Sequence, residues 1–416
     1  MTPTRLAAGA FAVLAVAAPF VAPWLVILAA LAVATAVLVD ALLVREPPPV
    51  LRDAPPALVR GTAARLRLRI GDPVRDRARL RQPVGPDLRL RPGEANTELD
   101  AELVGTRRGS HPLPRAVVRV RGPLGVGAWT HPACDETAVR VYPDLPAARR
   151  LAASLRTGRF REEGRRTRGP IGLGTDFETL RDYSPDDDIR QVNWLATARI
   201  GRPISNQFRL ERDRDVICLV DCGRLTAAPV GEATRLDIAV DAAVAVAAAA
   251  EELGDRCGTL AFDAQLRRSV PPRRRGARDV VEALFDLEPV PVDSDYERAF
   301  HELARAKRAF ALVLTDLVEP TAAQPLVDVL PVLARHHAVA VASVADPDLL
   351  TLAAAPSVRV AQDVYRAAVA LDVLAARNAV VAELRHAGAD VVEAEPQRLS
   401  AACVSAYLRA KARAKL

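Results

Sequence analysis

Hydrophobic residues run almost unbroken through the first part of the chain. From Leu6 to Val44 the only charged residue is Asp40. A single helix of that length would measure about 58 Å at about 1.5 Å per residue, roughly twice the hydrocarbon thickness of a bilayer. Pro19 and Pro23 lie near the middle of the run and are expected to turn the chain back. The pattern therefore predicts a transmembrane helical hairpin over residues 1–45.

The charges that flank this hairpin indicate its orientation. Arg5 precedes it, Arg45 and Arg52 follow it, and the turn carries no charge. Because cytoplasmic flanks are enriched in Lys and Arg, both ends are expected in the cytoplasm, with the soluble domains beside the cytoplasmic membrane. A cleaved signal peptide is the alternative, although the apolar run continues well past an ordinary signal core.

The pattern changes to a period of two after a Pro-rich stretch over residues 45–56. Apolar residues alternate with polar ones, mostly arginine, around Leu68, Leu88, Val118 and Val139, with Gly and Pro turns between them. Such alternation is typical of strands with one buried and one solvated face, and it predicts a small β-sandwich domain over residues 46–145. The glycine-rich stretch 122–127, "GPLGVG", opens no predicted helix, so a phosphate cradle is not expected there.

A third pattern, alternating strands and helices, begins near Asp215. Continuous apolar runs predict strands at 215–221, 258–263, 309–316 and 338–344, with helical segments between them. Short buried strands joined by helices require a parallel sheet covered on both faces. The fold class is therefore α/β, with a doubly wound domain over residues 174–416.

A basic linker over residues 146–173 joins the two soluble domains. Between residues 146 and 168 the chain carries eight arginines against two glutamates, a local charge of +6. Two interpretations of this segment remain open: it is a solvated connector, or it contacts anionic lipid headgroups. Nucleic acid is not expected as a partner, because the segment lacks interleaved aromatic residues for base stacking. The net charge of +6 over the whole chain decides little by itself.

Two aspartates mark the predicted site of the α/β domain. Asp221 and Asp316 each close a strand, and ligands of such sheets bind outside the carboxyl ends of the strands. No GxGxxG or Walker loop is present, so no cofactor is predicted. The arrangement resembles a von Willebrand factor A domain, whose metal site uses a DxSxS turn, a loop Thr and an Asp after a later strand.

The DxSxS turn is incomplete in this chain. Gly223 and Leu225 stand where the resemblance implies two serines. Because Mg²⁺ prefers an octahedron of oxygen ligands, no metal is predicted. The edge around Asp221, Gly223, Thr315 and Asp316 is instead predicted to be an acidic rim that binds a cationic partner residue without Mg²⁺.

A charged stretch precedes the first strand of this domain: "GTDFETLRDYSPDDDIRQVNWLATARIGR", residues 174–202. Pro185 and the acids at 186–188 suit a helix N-terminus, and arginines suit its C-terminus. The candidate binding residues here are Arg181, Tyr183, Asp187, Trp194 and Arg199. We expect a corner with a buried Trp194 that pins the helix to the sheet, with a partner-facing surface as the alternative.

This stretch, followed by "ERDRDVICLVDCGRL", resembles the signature of the bacterial domain of unknown function 58 family. Asp186 stands where that family usually has Gly. The resemblance implies a membrane-associated protein with a von Willebrand A-like domain and a MoxR-type AAA+ ATPase as partner. The expected function is a membrane-anchored, non-enzymatic protein-interaction module, an adaptor in assembly or envelope maintenance. A metal-dependent, adhesion-type ligand-binding domain is the alternative.

The spacing of cysteines and histidines argues against disulfide bonds, a zinc site and catalysis. The five cysteines form no CxxC pair and have no His partners at zinc-ligand spacing, so neither a disulfide framework nor a zinc site is predicted. The six histidines show no spacing typical of a catalytic triad or a metal centre, and we do not expect an enzyme.

Overall fold

The computed structural model describes residues 2–71, 77–157, 161–162, 165–166, 171–184, 192–209, 213–317, 320–354 and 361–413. The chain divides into two compact units, Met1–Tyr142 and Pro143–Leu416.

The first unit combines two helices with short strands. The helices are α1 (Arg5–Ala17) and α2 (Pro23–Leu42). The strands are β1 (Thr2–Pro3), β2 (Val50–Asp53), β3 (Ala57–Val59), β4 (Ala63–Ile70), β5 (Ala78–Arg81), β6 (Leu88–Arg91), β7 (Glu94–Ala95), β8 (Glu98–Gly105), β9 (Gly109–Leu113), β10 (Ala116–Arg121), β11 (Gly127–Ala133) and β12 (Thr137–Tyr142). They form three sheets, in the orders β1-β11-β10-β5-β7, β3-β12-β9 and β2-β4-β8-β6.

The strands of the first unit bury the apolar half of the predicted alternation. Leu66 and Leu68 are fully buried on β4, while Arg65 and Arg69 on either side of this pair are exposed and Arg67 between them is half-buried. Side chains from all three sheets, among them Leu80, Leu103, Leu113 and Val141, form one core. The Pro-rich stretch that follows the helices is in part a strand, because β2 pairs antiparallel with β4.

One helix of this unit, α2, is long and apolar enough to cross a membrane. Its 20 residues span about 30 Å. The preceding helix α1 is apolar but has only 13 residues, and the two helices contact each other. Large apolar side chains of both helices are exposed to the surroundings, among them Leu6, Val13, Val16, Trp24, Leu28 and Leu31.

The end of α2 is fixed to the sandwich by a buried carboxylate. Asp40 is fully buried, and its carboxylate oxygens accept hydrogen bonds from the backbone N–H groups of Leu124 (2.8 Å), Val126 (2.9 Å) and Gly127 (2.8 Å). The backbone of the glycine-rich loop 122–127 therefore bonds a carboxylate of the chain itself. At the start of α1, the Thr4 hydroxyl donates to the carbonyl of Gly125 in the same loop at 2.6 Å.

The second unit contains the elements α3 (Leu145–Arg156), β13 (Arg161–Glu162), β14 (Arg165–Arg166), β15 (Ile171–Asp182), α4 (Trp194–Ile200), β16 (Ile204–Arg209), β17 (Asp215–Asp221), β18 (Pro229–Val230), β19 (Ala233–Thr234), α5 (Arg235–Glu252), β20 (Arg256–Phe262), β21 (Leu266–Arg274), α6 (Ala277–Leu284), α7 (Tyr296–Ala304), β22 (Ala309–Leu314), α8 (Pro320–His336), β23 (Ala338–Val344), α9 (Pro347–Ala353), α10 (Ala361–His386), β24 (Asp390–Ala394) and α11 (Pro396–Ala412).

A six-stranded sheet in the order β21-β20-β17-β22-β23-β24 organises this unit. Its strands pair in parallel except at the edge, where β21 runs antiparallel to β20. All seven residues of β17 are buried, because α5 covers one face of the sheet, while side chains of α7, α8 and α10 pack with the strands in one core on the other. The alternating pattern thus predicted the central strands and missed the antiparallel edge and β24.

The start of the basic segment is a packed helix. Ala148, Ala152 and Leu155 of α3 are buried and the helix packs on α5. Arg149 and Arg150 point outward. This part of the segment is therefore more than a solvated connector, because one of its faces is apolar and packed, and the interpretation as a lipid contact stays a prediction.

Candidate functional site

Asp221 ends the central strand β17, with β20 and β22 on either side. The residue is only 2 % exposed, although it lies at the carboxyl edge of the sheet. Its Oδ1 accepts the backbone N–H of Gly223 at 2.8 Å, which closes a tight turn directly after the strand.

Three hydroxyl groups surround this carboxylate. Thr315 Oγ1 and Tyr296 OH donate to Asp221 Oδ2 at 2.6 and 3.0 Å, and Ser294 Oγ donates to Oδ1. Burial and the nearby Asp221 charge raise the pKa of Tyr296 well above its ordinary value, so Tyr296 keeps its proton. The carboxylate thus has its charge stabilised by hydrogen bonds from its own chain.

The Ser294 hydroxyl occupies the space where a side chain at position 223 would lie. A Cβ built on Gly223 would lie 2.2 Å from Ser294 Oγ and 3.0 Å from the carbonyl oxygen of Val292. The turn after β17 lacks a serine at this position, and a hydroxyl from the loop before α7 bonds Asp221 instead. Sequence reasoning missed Ser294 and Tyr296. The loop hydroxyl of the von Willebrand A pattern was the signal that could have found Ser294.

Asp316 belongs to a separate ion-pair network. It is 5 % exposed, and its Oδ2 lies 2.7 Å from Nη1 of Arg235, the first residue of α5. The same guanidinium lies 3.2 Å from Asp346. Burial raises the pKa of Asp316, while Arg235 and Arg377 oppose that shift. Asp316 therefore has a cation of its own chain as its main partner.

A cleft of about 330 Å³ opens above Asp221. Ser294 and Tyr296 line its floor, and an ion pair between Arg224 and Asp293 (2.6 Å) lies at its exposed mouth. The expected acidic rim is wrong in this respect: Asp221, Gly223, Thr315 and Asp316 are brought to one edge but are buried. Partner binding at this edge stays a prediction. A partner would contact Arg224 and Asp293 at the mouth of the cleft before it reached Asp221.

The charged signature stretch folds differently from its prediction. The helix α4 begins at Trp194, where the side chain of Asn193 caps it by accepting the Ala196 N–H at 2.9 Å, and it ends at Gly201 with φ 75°. Val192, two residues before this helix, forms a β-bridge with Ser205. The predicted helix start at 185–188, including Asp187, lies outside the described residues.

The buried corner expected around Trp194 is wrong. Trp194 is 67 % exposed and its neighbour Leu195 is 68 % exposed. Arg181 and Arg199 are also exposed, and Tyr183 is half-buried, with its N–H bonded to the Pro203 carbonyl at 3.0 Å. A seven-residue helix buries little besides Ala196, so its large side chains remain on the surface.

Across the residues that the structure describes, no group of three His, Cys, Asp or Glu side chains has the geometry of a metal site. All five cysteines are free thiols, and burial raises the pKa of Cys257 and Cys403 to about 12, so both stay protonated.

Fold and site together define a two-unit α/β protein with apolar N-terminal helices and a hydroxyl-bonded aspartate at the carboxyl edge of its main sheet. The chain belongs to the family described as Protein of unknown function DUF58, whose model matches residues 179–390. It is also similar to uncharacterized proteins of Mycobacterium bovis and Mycobacterium tuberculosis, with 26% identity over 155 residues. That match covers 36% of this chain and 49% of each relative, so the chain spans about half the length of the curated relatives it matches.

Proposed function

We propose that this chain is a membrane-anchored, non-enzymatic protein-interaction module that binds its partner without a divalent cation. The α/β unit is taken as von Willebrand A-like in this proposal, and the partner as a MoxR-type AAA+ ATPase. Both come from the family resemblance. Anchoring in the cytoplasmic membrane, with the soluble units on the cytoplasmic side, is part of the same proposal.

The observation that carries the proposal is the bonding of Asp221. Its two carboxylate oxygens accept four hydrogen bonds, three from hydroxyls and one from the Gly223 N–H. A metal ion would have to displace some of these donors, and Asp316 is held by Arg235. Such a carboxylate is better suited to fixing the loops of a binding cleft than to holding an ion.

Anchoring is supported by the apolar helices. The start of α1 and the end of α2 both contact the loop 122–127 through Thr4 and Asp40, so the two helices run away from the sandwich and return to it. Their exposed apolar side chains suit a lipid environment. A pair of helices with this geometry leaves both ends on one side of a bilayer.

Two exposed features can meet a partner. One is the mouth of the cleft at Arg224 and Asp293, and the other is the apolar pair Trp194 and Leu195 on α4. Exposed aromatic residues beside arginines are typical of the energetically important part of protein interfaces. Charge at the cleft mouth would supply orientation, and α4 would supply apolar contact area.

The test measures binding of a MoxR-type ATPase to the full chain in lipid nanodiscs. Magnesium and nucleotide are kept constant, because the ATPase itself needs both. Arg224→Glu reverses the charge at the cleft mouth and should weaken binding at least tenfold. Arg366→Gln changes an exposed residue on α10 and should leave binding unchanged. Equal binding by all three proteins would contradict the proposed contact surface.

Metal-dependent ligand binding remains the second candidate. It is favoured by the two oxygen ligands, Asp221 and Ser294, that meet in a cleft open to solvent. Calorimetric titration of the full chain with Mn²⁺, without the ATPase, separates the two functions. Stoichiometric binding that disappears in both Asp221→Asn and Ser294→Ala would support the metal site and overturn the cation-independent proposal.

A further inference from the structure

A second cavity lies at the opposite, amino edge of the six-stranded sheet. Its volume is about 170 Å³, and its polar lining comes from Arg308, His337, Asp390 and Arg413. Three of these residues come just before or at the starts of β22, β23 and β24, and Arg413 directly follows α11. The cavity is therefore distant in the fold from the edge that carries Asp221.

The charges in this cavity are unbalanced. Asp390 is already paired with Arg409, whose Nη2 lies 3.0 Å from Asp390 Oδ2. Among the residues that the structure describes, neither Arg308 nor Arg413 has a carboxylate partner within ion-pair distance. Two guanidinium charges thus remain beside a cavity whose own acid is neutralised.

His337 adds an unsatisfied polar atom. The residue is 5 % exposed, and its Nδ1 is buried without a hydrogen-bond partner in the described part of the chain. Buried polar atoms are nearly always bonded. Because Nδ1 is closed off from solvent, the ring lines the cavity through its other side, which carries Nε2. Burial, His336 and Arg308 lower the pKa of His337, so near neutral pH it is an uncharged ring with one N–H to donate.

Helix ends give a structural reason for cations here. The helices α8 and α11 both end at this edge, and Lys, Arg and His are favoured at helix C-termini. That preference explains the presence of single cations. It does not explain why two unpaired guanidiniums and a buried, unbonded imidazole converge on one cavity.

We propose that this cavity binds a doubly charged oxyanion of the phosphate type. Two guanidiniums match its charge, and each guanidinium can donate two parallel hydrogen bonds to phosphate oxygens. His337 would donate the remaining hydrogen bond through Nε2, the ring nitrogen that is not enclosed. The volume suits a single phosphate group and is small for a drug-sized ligand.

The experiment titrates inorganic phosphate into the full chain in nanodiscs of zwitterionic lipid, against chloride at equal ionic strength. We expect saturable binding that weakens about tenfold or more in Arg308→Gln and in Arg413→Gln, since each change removes a charge and its charge-assisted hydrogen bonds. His337→Gln should also weaken it. Arg366→Gln removes an equal charge from the exposed start of α10 and should leave binding unchanged.

Two outcomes would overturn the proposal. One is phosphate binding no stronger than chloride at matched ionic strength, and the other is binding that survives loss of both Arg308 and Arg413. The phosphate group can be free or carried by a lipid headgroup. Nanodiscs that contain phosphatidic acid separate these sources. If the lipid competes with free phosphate, and this competition is lost in Arg308→Gln, the headgroup is the ligand. If the affinity for free phosphate is unchanged by the lipid, the soluble anion is the ligand.

Discussion

Ser294 Oγ lies 2.2 Å from where a Cβ on Gly223 would be. The two residues are far apart in sequence, yet only one of them can place a side chain beside Asp221. A glycine in the turn after β17 is therefore tied to a hydroxyl in the loop before α7. The serine that the von Willebrand A resemblance implies at position 223 is absent, and a serine from a distant loop bonds Asp221 instead.

Moving the hydroxyl back to position 223 tests this relationship. Gly223→Ser should lower the free energy of unfolding by about 1.5–3 kcal/mol, because the new side chain displaces Ser294 from the charged acceptor Asp221. The double change Gly223→Ser with Ser294→Ala should recover more than half of that loss, since it removes the clash and keeps one hydroxyl. Chemical denaturation of the full chain measures both. Losses that simply add would contradict the coupling.

Trp194 should matter for binding and little for stability. Its side chain is 67 % exposed, so Trp194→Ala should change the free energy of unfolding by less than about 0.5 kcal/mol. Binding of the proposed ATPase partner should weaken at least tenfold, and Leu195→Ala should act in the same direction. Thermal denaturation and binding are measured on the same nanodisc samples. A large loss of stability with unchanged binding would mean that the indole is buried in solution.

The bond between Asp40 and the loop 122–127 should stabilise the first unit. Asp40→Asn loses the charge and points an amide donor at N–H donors, which should cost about 3 kcal/mol. Gly127→Ala should also destabilise, because its Cβ would meet the backbone of α2 at 2.4 Å (Val37 O) and 2.6 Å (Ala41 N). Denaturation of the micelle-embedded chain checks both changes. Gly85→Ala is the control, with no atom within 4 Å of the new Cβ. Equal stability of all three variants would refute this role.

Both ends of the helical pair should face the cytoplasm. Reporter fusions after Arg52 and at the C-terminus should both give cytoplasmic signals, because Arg5, Arg45 and Arg52 flank the apolar segment and the turn carries no charge. A fusion in the turn near Phe20 should give the opposite signal. A periplasmic signal at either terminal fusion would refute the proposed topology.

Stability should depend on pH through His337. Its pKa is lowered in the folded chain, so below about pH 6.5 the unfolded chain binds a proton that the folded chain does not. The free energy of unfolding should therefore fall as pH drops from about 6.5 through the folded pKa. His337→Gln should flatten this part of the profile. A profile identical to that of the parent chain would assign the pH dependence to other groups.

Local patterns determined much of this protein because they depend on neighbouring residues alone. The unbroken apolar run predicted the helix Pro23–Leu42, the period of two predicted strands such as Ala63–Ile70, and continuous apolar runs predicted β17, β22 and β23. In each case the spacing of apolar residues decides which side chains can be buried together. The family resemblance likewise rested on a contiguous motif and was confirmed.

Tertiary structure decided which groups bond Asp221, Asp316 and Asp40. Ser294 lies in the loop before α7 and Tyr296 is the first residue of α7, both more than seventy residues beyond Asp221. No local spacing records that approach. Asp40 is the one charged residue of the apolar run, and its hydrogen-bond donors come from the distant loop 122–127. Trp194 shows the converse case, since its apolar character suggested burial but no element covers it among the described residues. Hydrogen bonds and burial between distant segments depend on how the chain packs, and a single sequence does not specify those distances.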